Sequence, residues 1–176
     1  GVAYLILNKD LPNTIQLRKF EKEEKNNREL SKNIYEIIKH MTKKSHPMYV
    51  ARTAVSVMGL EDNETSDSSS EANMRKALRI FAKTPTALAA FYRIRKGQKI
   101  IKPKKNLSFA ENFFYMCFGK VPQKEIVKAF DVSLILYAEH SFNVSTFTAR
   151  TITSSLSDIH GAITGAIASL KGALHG

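Results

Sequence analysis

The chain has 176 residues, 43% of them hydrophobic, with 27 Lys or Arg against 16 Asp or Glu and a single cysteine. That length and apolar content suffice for one domain with its own core, and no apolar run reaches the roughly 18 residues that cross a bilayer. The formal charge of +11 does not make a nucleic-acid binder, because the basic residues are spread through "RKFEKEEKNNRELSKN" and "YRIRKGQKIIKPKK", the first mixed with Glu, and no zinc-finger or RNP signature accompanies them.

The chain opens in mid-pattern at "GVAYLILNKDLP", without Met or a signal peptide, and stops at "LKGALHG"; it reads as a piece of something longer. Apolar residues recur at helical spacing and alternating strand patterns are hard to find, so the fold class is all-α. "LPNTIQLRKFEKEEKNN" supplies Pro12 and Asn13 or Thr14 as a start signal, then Ile15, Leu17 and Phe20. "LSKNIYEIIKHMTKK" places Ile34, Ile37, Ile38 and Met41 on one face. In "SHPMYVARTAVSVMGL", Ser45 is the expected cap, Pro47 lies in the first turn and Gly59 is the expected stop. Residues 61–70, "EDNETSDSSS", read as a flexible surface loop.

A long helix is expected from about Glu71 to Lys96, with a kink or break demanded by Thr84-Pro85. "SFAENFFYMCFG" predicts a short apolar helix ending at Gly119, with Cys117 a small buried hydrophobe. "PQKEIVKAFDVSLILYAEH" opens at Pro122 and becomes apolar nearly all round, which predicts a buried central helix. The remainder, "STFTARTITSSLSDIHGAITGAIASLKGALHG", is rich in small residues that let helices approach closely.

Chemistry must be sought among few groups. His40 reads as a surface residue and His46, before Pro47, as a capping or packing residue. His140 ends the apolar helix in "LILYAEHSFNVST", where Asn143 and Ser145 follow. A break there gathers an imidazole, an amide and a hydroxyl, groups costly to bury unless they bind one another or a ligand. His175 lies between Gly172 and Gly176, where the backbone can bend and admit a ligand. Two imidazoles on separate segments can both donate to carbonyl oxygens as negative charge develops. No G-x-S-x-G elbow, H-E-x-x-H, Cys pair, G-x-G-x-x-G or P-loop is present, so no metal site is expected. An anionic small molecule would suit the positive field.

At "LYAEHSFNVSTFTARTITSSLSDIHGAITGAIASLKGALHG" the sequence closely resembles the citrate synthase family, and the likeness extends upstream through "SHPMYVARTAVSVMG", "FAKTPTALAAFYRIRKGQ" and "LSFAENFFYM". The resemblance implies residues 1–176 as part of a large helical domain, ending within the family's L-H-G-G motif, with the small domain beyond it. It implies condensation of an acyl-CoA with oxaloacetate and hydrolysis of the thioester. The L-H-G-G histidine falls on His175, which polarises the thioester carbonyl. The A-(D/E)-H histidine falls on His140, which binds oxaloacetate. Asn143 is expected to support that pocket and Ser145 to orient His175.

The family's catalytic carboxylate, second catalytic histidine and substrate arginines fall beyond Gly176, so the isolated chain is expected to be inactive. Ala173 stands where proline is common, and His160 where tyrosine is expected; a structural role is assigned to His160. Tyr137 in "LYAEH" resembles the 2-methylcitrate synthase branch, which favours propionyl-CoA with acetyl-CoA accepted. No tightly bound cofactor is expected, acyl-CoA being a substrate. A cytoplasmic homodimer is expected, packed through helices that include the small-residue segment from Ser145 to Gly172. The alternatives are citrate synthase with acetyl-CoA as main substrate and a non-catalytic helical interaction module.

Overall fold

The structure, a computed structural model, describes residues 1–139 and 142–175. Helices account for all of the regular secondary structure among them: α1 (Val2–Asn8), α2 (Thr14–Asn26), α3 (Lys32–His40), α4 (Pro47–Glu61), α5 (Ser70–Arg95), α6 (Phe109–Phe118), α7 (Lys124–Leu136), α8 (Val144–Ser154) and α9 (Ile159–Leu170). Most begin where a short polar side chain can accept from the unpaired N–H groups of a first turn. Asn13 and Gln16 form a reciprocal capping box at 2.9 and 2.8 Å, and Ser108 and Glu111 form another. Ser31, Ser69, Asn143 and Asp158 cap α3, α5, α8 and α9. Gly119 closes α6 with a φ of 78°, a conformation that glycine adopts without strain.

The 26-residue α5 is the axis of the fold, touching α2, α3, α4, α6 and α9. Its buried alanines at 82, 87, 89 and 90 let these neighbours come close, and Ile80 and Phe91 join Ile34, Ile38, Val50, Val55 and Met58 in the main core. Each large aliphatic side chain so buried contributes about 1.5–3 kcal/mol. Of the kink or break expected at Thr84-Pro85, the break does not occur: α5 continues as one element through Pro85. Thr84 Oγ1 donates to the Ile80 carbonyl at 2.7 Å, and Thr86 Oγ1 donates to the Arg28 carbonyl at 2.8 Å. Packing on several sides thus offsets the roughly 3 kcal/mol propensity cost of an interior proline.

Other local expectations are corrected. The cap of α4 is His46, whose Nδ1 accepts from the Met48 N–H at 3.2 Å, rather than Ser45. Gly59 does not stop α4, which runs on to Glu61; a Cβ at residue 59 would lie 2.9 Å from His160 Cβ, so this glycine lets α9 approach α4. The helix expected to be central, α7, has no buried residue, and Leu136 is 72% exposed. Its main packing is on α6, where the Phe130 ring meets Phe113 and Phe114 at centroid distances of 5.5 and 5.0 Å. Apolar composition specified that α7 seeks cover, but among the described residues α6 is its main cover.

Two buried polar groups tie loops to the frame. Arg28 bridges Glu24, through bonds of 2.8 and 2.7 Å, to the carbonyls of Lys104 and Leu107 at 2.8 and 2.9 Å. Lys76, fully buried, donates to the carbonyls of Thr65 and Asp67, within the segment following α4. Cys117 is buried, and burial pushes its thiol pKa up to about 11. Among the described residues, no helix is long and apolar enough to cross a membrane.

Candidate active site

Helices α8 and α9 pack extensively against each other, and α9 is held in turn against α4. Gly165 makes the first contact possible, because the Ile152 side chain fills the space that a Cβ there would need. The turn after α9 is braced by bonds from the Gly172 N–H to the Ser169 carbonyl at 2.9 Å and from the His175 N–H to the Gly172 carbonyl at 3.0 Å. Tyr49 of α4 lies beside this turn, with the Lys171 ammonium 4.9 Å and the Arg52 guanidinium 4.7 Å from its ring centre. These contacts anchor the end of α9 and place two cations near it.

This arrangement brings His175 onto the first turn of α8. Its Nε2 accepts from the Ser145 N–H at 3.1 Å. That N–H belongs to a first turn and has no partner within the helix. The bond requires an unprotonated Nε2, which leaves the ring proton on Nδ1 as a hydrogen-bond donor. The Ser145 hydroxyl points elsewhere, donating to Asn143 Oδ1 at 2.7 Å, and the same oxygen accepts from the Thr146 N–H at 2.6 Å. Two donors thereby fix the Asn143 carboxamide, with its NH₂ on the opposite side of the group.

Of the four sequence-derived site residues, the structure gathers Asn143, Ser145 and His175; His140 lies outside the described residues. The sequence did not distinguish main chain from hydroxyl at Ser145. The cap signal at Asn143, three residues before Thr146, was present in "NVST" and points to that first turn.

His160 stands apart, at the other end of α9, separated from the His175 turn by about 18 Å of helix. It borders a cleft of about 330 Å³ that Asp62, Glu64 and Arg79 also line. Its ring is buried, with Nε2 3.6 Å from Asp62 Oδ2 and Nδ1 3.6 Å from Asp158 Oδ1. Burial lowers its pKa, against the pull of both carboxylates. Burial opposes ionisation of Asp62 as well, yet the Arg79 guanidinium, bonded to both its oxygens at 2.7 and 2.8 Å, holds that carboxyl below its usual value. Among the described residues, no group of three or more His, Cys, Asp or Glu is arranged to hold a metal ion.

Comparison with known proteins gives this geometry its context. A sequence model of the citrate synthase C-terminal domain matches residues 1–176. The chain is 47% identical to a citrate synthase of Mycolicibacterium smegmatis, covering 99% of this chain and 46% of that protein. It is 45% identical to a 2-methylcitrate synthase of Mycobacterium tuberculosis, covering 99% and 44%. The crystal structure of citrate synthase from Pyrobaculum aerophilum superposes with a TM-score of 0.93 at 36% identity, over 99% of this chain and 46% of that one. A ternary complex of the Thermoplasma acidophilum enzyme with carboxymethyl coenzyme A and oxaloacetate superposes with a TM-score of 0.90 at 27% identity, covering 98% and 45%. This chain thus spans about half the length of these relatives. Sequence along its whole extent and the all-helical fold agree: the chain belongs to the citrate synthase family.

Proposed function

We propose that the protein carrying this chain condenses an acyl-CoA with oxaloacetate and hydrolyses the thioester to release CoA, with propionyl-CoA preferred over acetyl-CoA. The observation that carries this reading is the bond from the Ser145 N–H to His175 Nε2, which presents Nδ1–H as a fixed donor. Aimed at the thioester carbonyl, that donor stabilises the enol or enolate formed when the α-proton leaves. A preorganised donor of this kind is worth about 10²–10³ in rate. Asn143, its oxygen already engaged, offers its NH₂ to oxaloacetate, for which His140 is the other proposed ligand, while Ser145 positions Asn143 and His175. The proton acceptor and the second catalytic histidine belong to sequence following Gly176, so the 176-residue chain alone is inactive.

Preference for propionyl-CoA rests on Tyr137, which caps α7 and is 83% exposed. One methylene shifts pocket discrimination by only about 1–3 kcal/mol, and relatives of similar identity carry both enzyme names. The protein needs no tightly bound cofactor in this scheme. It is a cytoplasmic homodimer, in which the exposed apolar side chains of the α8 region, Phe147 at 72% and Leu156 at 91%, find cover.

The test is the rate of CoA release by the complete protein with oxaloacetate and either acyl-CoA, alongside His175→Ala. A higher kcat/KM with propionyl-CoA, abolished in the variant, supports the proposal. Preference for acetyl-CoA moves the assignment to citrate synthase with the same mechanism. No release with either leaves a non-catalytic helical module.

A further inference from the structure

Helix α8 turns a single face to its neighbours. Ser145, Thr148, Ala149 and Ile152 are half-buried, and every other residue from Val144 to Ser154 is exposed. Those four positions form one helical stripe, and α9 is the main partner that it meets among the described residues. Ile152 is the one large apolar side chain on the stripe. The place of α8 along α9 therefore depends on where this side chain lands.

It lands on Gly165. A Cβ there would overlap Ile152 Cδ1, whereas Thr148 Cγ2 and Ile152 Cγ1 would lie at 3.6 and 3.7 Å, ordinary contact distances. Thr148 and Ile152 are neighbours one turn apart on the helix surface, and together they straddle the notch that the glycine leaves. The Thr148 hydroxyl is tied to its own helix, donating to the Val144 carbonyl at 2.9 Å, so its methyl is left for α9. Helix α9 is held independently by α4 and α5, which makes it the fixed member of the pair.

Ser145 lies in the first turn of α8 and His175 follows the C-terminal end of α9, so the two helices run antiparallel. Ile152 stands about two turns, roughly 10 Å, along α8 from the Ser145 N–H. A slide or tilt of α8 at the Gly165 notch moves that N–H away from His175 Nε2. Their bond, at 3.1 Å, is already near the long end of the usual range, so a small displacement breaks it.

We propose that Ile152 is a positioning residue for His175: seated in the Gly165 notch, it sets the register of α8 on α9 and so keeps the Ser145 N–H on Nε2. The bond in turn holds the ring proton on Nδ1; without it the imidazole is free to take the other tautomer. The consequence for the reaction rests on the proposed reading of His175 as donor to the thioester carbonyl.

The test uses the complete protein, labelled at its histidine ring nitrogens and observed by NMR, the His175 signals being those lost in His175→Ala. The unaltered protein is expected to show His175 as the Nδ1–H tautomer. In Gly165→Ala, measured where it is fully folded, the two ring nitrogens are expected to average toward the other tautomer. Its kcat is expected to fall about ten- to a hundredfold, the cost of a small misplacement, with KM within about twofold. Valine lacks Cδ1, and the atoms left beside the new methyl lie at 3.6 and 3.7 Å. Adding Ile152→Val is therefore expected to return both readouts to within about twofold of the unaltered protein. A Gly165→Ala variant that unfolds at lower urea but keeps the tautomer and kcat makes Ile152 a packing residue only and overturns the proposal. So does a double variant no better than the single, or an unaltered protein without the Nδ1–H tautomer. Absence of CoA release by the unaltered protein refutes the proposed reaction instead, and the tautomer comparison still decides the role of Ile152.

Discussion

Gly59 and His160 interlock: a Cβ on residue 59 would meet His160 Cβ at 2.9 Å and Cγ at 3.1 Å, so the absence of a side chain on α4 admits the imidazole of α9. The atoms in the way lie close to the α9 backbone and cannot swing aside. Gly59→Ala would gain about 1 kcal/mol in helix propensity. Overpacking of a tight contact costs about 1–3 kcal/mol. A net loss of up to about 2 kcal/mol is expected in urea unfolding of the complete protein; a stabilised variant would show that α4 and α9 separate freely.

The same histidine predicts a pH dependence. Burial depresses its pKa in the fold, although Asp62 and Asp158 favour the imidazolium and Lys76 and Arg79 disfavour it. The unfolded chain therefore binds the proton more readily than the folded one. The contribution of His160 is fully present above its ordinary value of 6.5 and is lost as pH falls from there toward the depressed folded value. Asp62 acts further down, since its lowered pKa gives stability that disappears only as pH falls through the carboxylate range. In His160→Gln, the decline beginning just below neutrality is expected to vanish while the acid limb remains; an unchanged stability profile between pH 7 and 5 counts against this account.

At the candidate active site the main chain holds His175, and this separates two variants. Ser145→Ala retains the N–H that His175 Nε2 accepts and loses only the hydroxyl bond to Asn143. Its kcat is expected to fall less than about tenfold, whereas His175→Ala loses about 10²–10³. Equal losses would assign the orienting role to the hydroxyl. Asn143→Ala removes the α8 cap as well, at about 1 kcal/mol of stability, and is expected to raise the KM for oxaloacetate.

Arg28 is the costliest single truncation expected outside the site. Its guanidinium is buried with Glu24 and satisfies two carbonyls of the loop before α6. Arg28→Met leaves a buried carboxylate and two orphaned acceptors, for a loss of about 3–5 kcal/mol. Adding Glu24→Leu is expected to restore part of it, because the unpaired charge disappears; a double variant no better than the single would place the cost in the carbonyls alone.

Lys76 gives a local counterpart. It is buried, and its ammonium donates to the carbonyls of Thr65 and Asp67. In Lys76→Met, amide hydrogen exchange across 62–69 is expected to quicken while α4 and α5 stay protected. Unchanged exchange would mean that the ion pairs of Arg79 with Asp62 and Glu64 and of Arg75 with Glu64 hold the segment without Lys76.

The sequence alone determined the all-α class and several helix starts, and it named as candidates the three residues that the structure brings together. Those signals are local: a cap acts within one turn, and helical periodicity is written along a single element. What only the tertiary structure decided depends on neighbours remote in sequence. Gly59 reads as a stop in isolation and becomes a contact only because α9 arrives there. Pro85 reads as a kink or a break, yet α5 runs through it as one element, enclosed by enough partners to carry it. An apolar α7 reads as buried, but burial depends on what surrounds a helix, and here α6 is its main cover. His175 and Ser145 were each legible as candidates, but the bond between an imidazole nitrogen and a main-chain N–H thirty residues away exists only because the packing of α8, α9 and α4 carries one to the other.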